Sequence, residues 1–160
     1  DIPLIIDADG LNALSEDTEI LRNCKAKVVL TPHPKEFARL TCLEVEEILN
    51  NPIEIAFDFA KKYGVVLLLK GAASIITDGE SVYINPYGAP CMAKGGSGDV
   101  LSGIIGGLLA RGIPPLKAAW GGACIAGRAG ELARDVEGEY SASPRNTVEH
   151  INKVIMSAAN

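Results

Sequence analysis

Five apolar residues in a row, Val65-Val66-Leu67-Leu68-Leu69, lack the alternation that a half-solvated strand would show. Such a strand is buried on both faces and reads as the centre of a parallel sheet covered by helices. The neighbouring segments fit that frame. Residues 3–6 are a short apolar run that empties at Asp7 into a polar loop, and 27–31 are another, ending at Thr31-Pro32-His33-Pro34. Helices are expected over 12–21, through Phe37 and Leu40 after the second of those prolines, and from Thr41, whose spacing to Glu44 matches a capping box. Asn51-Pro52 supplies an N-cap and first helical residue for a helix that stops at Gly64. Residues 74–77 and 81–85 flank the turn Asp78-Gly79 as a β-hairpin. Helices over about 99–110, 116–134 and 147–158 close the chain. The order predicts an α/β three-layer sandwich with a mainly parallel central sheet.

Composition narrows the function classes. With 160 residues, 48% of them hydrophobic, the chain buries one sizeable core, and 1–160 reads as a single domain or a large part of one. A formal charge of −5 argues against nucleic acid or an anionic membrane as the main partner. The uncharged apolar run at 100–110 is too short to cross a bilayer, which takes roughly 20 residues. Cys24, Cys42, Cys91 and Cys124 show neither zinc spacing nor a disulfide framework, which suits a reducing cytoplasm. The first residue is Asp rather than Met, so the chain is expected to begin inside a longer gene product.

The segment with most chemistry is Ala93-Lys94-Gly95-Gly96-Ser97-Gly98-Asp99-Val100-Leu101-Ser102-Gly103. Gly95, Gly96 and Gly98 let backbone N–H groups converge, and the following helix adds its positive end; with Ser97 they form a candidate anion hole. Asp99, in the first turn of that helix, is placed beside any bound phosphate to take a proton from an attacking hydroxyl. A tight loop capped by Asp99 is the plainer alternative. No Lys-Ser or Lys-Thr follows the glycines, and Leu101 occupies the third glycine position of a dinucleotide fingerprint, so neither of those motifs applies.

Met92 to Gly103, together with Asp7-Ala8-Asp9-Gly10-Leu11-Asn12 and Thr31-Pro32-His33-Pro34-Lys35-Glu36-Phe37, resembles the ADP/ATP-dependent NAD(P)HX dehydratases of the ribokinase-like superfamily, often labelled carbohydrate kinases. The resemblance runs from Ile2 to the last helix and covers the C-terminal portion of the family's domain, which implies that further strands and helices precede the Asp7 strand. It implies that Asp99 contacts substrate and acts as base, that His33 contacts substrate, and that Gly98 with Lys70, Gly71, Ala72, Ala73 and Ser74 binds the nucleotide. Glu36 is implied as a metal-side residue, against a plain first-turn acid. Asp7, Asp9 and Asn12 line the cleft or serve as turn and cap residues. Ser97 stands where the family commonly has Thr, Cys91 and Lys94 where Gly and Thr are common, and Ala126 where His is expected; Arg145-Asn146 alter the usual start of the last helix.

The implied reaction is nucleotide-driven loss of water from hydrated NADH or NADPH, with ADP or ATP as co-substrate and Mg²⁺ as cofactor: Asp99 takes the ring hydroxyl's proton, the terminal phosphoryl group moves to that oxygen, and phosphate then leaves. Two rivals remain at this stage. One is a kinase of a thiazole, pyrimidine or sugar hydroxyl, and the other a nucleotide-binding fragment without catalysis. Homo-oligomerisation, or association with a preceding N-terminal segment, is also expected, because an unpaired apolar strand edge promotes association.

Overall fold

The computed structural model describes residues 2–158. Five strands lie in sequence order across one sheet: β1 (Leu4–Ile6), β2 (Val28–Leu30), β3 (Val66–Leu69), β4 (Ser74–Thr77) and β5 (Val82–Asn85). The first two pairings are parallel, with Leu4 opposite Val28 and Val29 opposite Val66. β4 and β5 run antiparallel to their neighbours, so the sheet is mixed and the 65–69 run is parallel on only one side. A connection as short as residues 70–73 cannot return the chain for a parallel strand, which would need a crossover of a dozen residues or more.

Period-two alternation divides the strand residues between two cores. Val28, Leu30, Leu67 and Leu69 face one cluster; Val29, Val66, Leu68 and Ile76 face the other. The first is covered by α1 (Asp9–Leu14), α2 (Pro34–Thr41), α3 (Val45–Asn50) and α4 (Pro52–Tyr63), through Leu11, Phe37, Ile48 and Phe59. The second is covered by α5 (Ser97–Ala110) and α6 (Pro115–Glu137), and α7 (Pro144–Ala158) packs on α6. α6 approaches closely because its inner face is small: Ala118, Ala119, Ala123, Ala126, Ala129 and Ala133 are buried with Gly122, Gly127 and Gly130.

Several local expectations change. The helix expected over 12–21 is instead α1 followed by a 3-10 turn, Thr18–Asn23, because the Ser15 hydroxyl bonds back to the Asn12 carbonyl and the Asp17 carboxylate caps the Glu19 amide. Thr41 ends a helix rather than starting one; its hydroxyl bonds to the Phe37 carbonyl. The capping box occurs at His33–Glu36, where the imidazole takes the place usually held by a Ser or Thr oxygen. Asn51 occupies its cap position without a side-chain bond, whereas Gly64 ends α4 at φ 65° as expected. α5 begins two residues before Asp99, and α6 and α7 extend beyond the expected ranges, from Pro115 to Glu137 and from Pro144. No helix among the described residues is long and apolar enough to cross a membrane, and all four cysteines are free thiols.

Candidate active site

The carboxyl ends of β1, β2, β3 and β5 and the start of β4 all meet at one edge of the sheet, where α/β folds place ligands. A cavity of about 930 Å³ opens there. Asp7 follows β1, His33 lies three residues past β2 and Lys70 follows β3; all three line it. Gly71, Ala72 and Ser74 share that wall, while Ala73 does not.

Gly95, Gly96, Ser97, Gly98 and Asp99 line the same cavity, with Gly98 against Asp7 and Lys70. Gly96 is the N-cap of α5 at φ 95° and ψ −17°, a left-handed conformation that favours glycine. The first amides of α5 have no acceptor within the helix, and the helix dipole adds its positive end; the Ser97 amide is bonded to the Lys94 carbonyl at 3.3 Å, which leaves those of Gly98 and Asp99 available. Asp99, third residue of the helix, is exposed at the cavity and has no hydrogen-bond or ion-pair partner among the described residues. The arrangement supplies hydrogen-bond donors for an anion beside a carboxylate able to accept a proton.

Asp7 and Lys70 form a charged cluster at the cavity wall. Lys70 Nζ donates to Asp7 Oδ1 at 2.9 Å and stands 3.7 Å from Glu36 Oε2. The Ser102 hydroxyl, one turn along α5, donates to Asp7 Oδ2 at 3.0 Å. Burial pushes the Asp7 carboxyl pKa up, but the Lys70 hydrogen bond and charge, the Ser102 hydroxyl and the Ala8 amide together outweigh it and hold the group below its ordinary value. Asp7 therefore ties β1, β3 and α5 together. The Glu36 carboxylate is not on the cavity wall; it accepts the His33 amide at 2.8 Å and sits beneath Lys70. His33 Nδ1 accepts the Lys35 and Glu36 amides, which places the neutral ring's proton on Nε2, 3.4 Å from Glu36 Oε1. Asp9 and Asn12 do not line the cavity: Asn12 donates to Asp9 and accepts from Arg39, which joins α1 to α2.

The far end of the cavity is formed by Asn85, Tyr87, Gly88, Ala123, Ala126 and Gly127, none of which the residue-level reading assigned to a ligand. Asn85 Nδ2 donates to the Tyr87 and Ala123 carbonyls, and the Arg128 guanidinium lies 4.2 Å from the centre of the Tyr87 ring. Gly127 permits this closeness, since a Cβ there would stand 2.5 Å from the Tyr87 carbonyl oxygen. A small residue facing a carbonyl is visible only in three dimensions.

Fold and site define a ribokinase-like α/β sandwich with a glycine-rich loop at the ligand edge of its sheet. A ribokinase-like superfamily protein from Enterococcus faecalis superposes with a TM-score of 0.79 at 28% identity, covering 97% of this chain and 52% of that one. The family model for NAD(P)H-hydrate dehydratase matches residues 1–153, and the chain belongs to that family. It is 48% identical over 140 residues to a bifunctional NAD(P)H-hydrate repair enzyme of Moorella thermoacetica, covering 86% of this chain and 26% of the relative. An ADP-dependent (S)-NAD(P)H-hydrate dehydratase of Neisseria meningitidis is 38% identical over 142 residues, 86% of this chain and 48% of that protein. The ADP/ATP-dependent NAD(P)H-hydrate dehydratase of Bacillus subtilis, co-crystallised with ATP and Mg²⁺ and soaked with CoA, superposes with a TM-score of 0.83 at 28% identity, covering 97% of this chain and 56% of that one. The chain thus spans between about a quarter and somewhat over half of these proteins' lengths.

Proposed function

We propose that this chain carries the catalytic edge of an ADP- or ATP-dependent dehydratase that restores NADH and NADPH from their hydrated forms, as the C-terminal portion of a larger ribokinase-like domain. The observation that carries the reading is the convergence of the glycine loop 95–98 at the start of α5, Lys70 and the unpartnered Asp99 on one cavity. His33 and Asp99 face the hydrated nicotinamide, and Lys70, Gly71, Ala72, Ala73, Ser74 and Gly98 form the nucleotide side. A cytoplasmic setting suits both the cofactor and the free thiols.

Asp99 takes the proton from the ring hydroxyl as that oxygen attacks the terminal phosphorus. The bond from that phosphorus to the nucleotide breaks, releasing AMP from ADP or ADP from ATP. The α5 amides hold the charge that gathers on the transferring oxygens. The ring nitrogen's lone pair then expels phosphate as the carbon–oxygen bond breaks, and loss of a proton from the adjacent carbon restores the double bond.

Among the described residues no group of three His, Cys, Asp or Glu side chains is arranged to hold a metal, so the site suits a magnesium ion that arrives on the nucleotide's phosphates. Asp99, unpaired among the described residues and on the cavity wall, would be the carboxylate available to it, since Asp7 is already paired with Lys70 and Glu36 lies off the wall. The ion would supply charge neutralisation at the phosphates.

The test is product analysis of the full-length protein given hydrated NADH, Mg²⁺ and ADP or ATP. Stoichiometric NADH and free phosphate are expected. A stable phosphorylated alcohol, formed from a thiazole, pyrimidine or sugar substrate instead, would replace this reading with a kinase; nucleotide binding without turnover would leave a binding module.

A further inference from the structure

A loop built from Gly95, Gly96 and Gly98 has few side chains with which to hold itself in shape, yet an anion site requires its amides to be fixed before the anion arrives. The clamp lies next to it in sequence. Lys94 lines the cavity, but its ammonium is tied to the chain: Nζ donates to the Tyr140 carbonyl at 2.9 Å and to the Ala142 carbonyl at 2.7 Å. Both carbonyls belong to the short connection between α6 and α7, which is itself tied down by the Ala142 amide on the Gly138 carbonyl, and Ala142 is buried. The loop touches the same region a second time at Gly96, where a Cβ would lie 3.3 Å from Pro144 Cγ. Two of the ammonium's three N–H groups are therefore committed to neutral carbonyls, which leaves it poorly placed to bind phosphate although its charge and sequence position would suggest that role.

We infer that Lys94 is a positioning residue. It fixes the glycine loop in its anion-binding shape by fastening it to the α6–α7 connection, and it makes no phosphate contact. The inference rests on the nucleotide reading of the cavity, but its first test does not depend on that reading. In the full-length protein, Lys94→Met keeps the stem and removes the donors, whereas Lys94→Arg retains donors of the same charge. Without nucleotide, hydrogen exchange at the loop's bonded amides, Ser97 on the Lys94 carbonyl and Val100 on the Gly96 carbonyl, should quicken roughly three- to tenfold in the Met variant and stay within about twofold of wild type in the Arg variant.

Calorimetry should then show ADP binding weakened by roughly the same three- to tenfold in Lys94→Met, with an unchanged dependence on salt, because no phosphate contact has been lost. With hydrated NADH, KM for ADP should rise while kcat holds. Unchanged loop exchange in the Met variant would overturn the inference, as would a flatter salt dependence, the mark of a lost phosphate contact. If the wild-type protein binds no ADP, the nucleotide reading fails, while the exchange experiment still decides whether Lys94 clamps the loop.

Discussion

Replacing Asp7 by asparagine removes one negative charge from the junction of β1, β3 and α5 while keeping the side chain's shape. The Asp7 and Lys70 side chains are 14% and 24% exposed and meet at 2.9 Å, so the pair lies between a surface ion pair and a buried one. Removing one partner of a buried pair costs about 3–5 kcal/mol, and an exposed pair contributes about 0.2–1 kcal/mol. Asparagine's one carbonyl oxygen can accept only one of the two bonds: with Oδ1 kept on the Lys70 ammonium, the amide nitrogen meets Ser102, whose hydroxyl must turn to accept; Glu36 remains 3.7 Å from the ammonium, so a loss of about 1–3 kcal/mol is expected at pH 7. For a chain of this size about 2 kcal/mol corresponds to a fall in Tm of roughly 4–8 °C.

The pH dependence of that loss has a defined sign. Because the folded state holds the Asp7 pKa below its ordinary 3.8, the carboxylate's contribution is complete above that value and disappears as pH falls through the folded value. Urea unfolding of wild type and Asp7→Asn at pH 7, 5 and 3.5 should give a gap that is steady between the first two and narrower at the third. Equal stability at pH 7, or a gap that widens toward acid, would refute the reasoning.

Asp99→Asn should leave ADP affinity within a few-fold and cut turnover by about two orders of magnitude or more, the scale of a lost general base; near-normal turnover would remove Asp99 from that role. In Gly98→Ala the new Cβ would stand 3.2 Å from Asp7 Oδ2 and 3.7 Å from Lys70 Nζ, so it disturbs the charged pair behind the loop. ADP affinity should fall roughly tenfold with the circular dichroism spectrum retained, and unchanged affinity in calorimetry would separate the pair from nucleotide binding. Gly127→Ala sets about 1 kcal/mol of gained helix propensity against an overpacking cost of about 1–3 kcal/mol at the Tyr87 carbonyl. A Tm lower by a few degrees and weaker ADP binding are expected in thermal and calorimetric titrations, whereas a stabilised variant with full affinity would show that the 86–89 segment yields freely.

The layer architecture was readable from few residues. Val65 to Leu69 specified a strand covered on both faces, and alternate members of that run do divide between the two cores. Gly64, Asp78-Gly79 and the glycines before Asp99 marked their turns because left-handed or tight backbone restricts which residues can occupy it. The capping box was misplaced because pattern reading looks for a Ser or Thr hydroxyl, and here an imidazole nitrogen accepts the same amides. Ser102 stood in the motif without a role, although its spacing puts it one turn from Gly98 on the same face of α5. Its partner Asp7 is 95 residues away, a pairing that only the assembled sheet creates. Lys94 was noted as a departure from the family pattern; its function depends on carbonyls of residues 46 and 48 positions further on, which carry no side-chain signal.

The central claim is that the nucleotide's phosphates lie at the start of α5, next to Asp99. A crystal structure of the full-length protein with ADP and Mg²⁺ tests it most directly. The account predicts the terminal phosphate within hydrogen-bonding distance of amides among residues 96–99, with Lys70 on the nucleotide side and the Asp99 carboxylate facing the terminal phosphorus from the open part of the cavity. Phosphates bound away from that loop, with Asp99 turned to solvent, would contradict it.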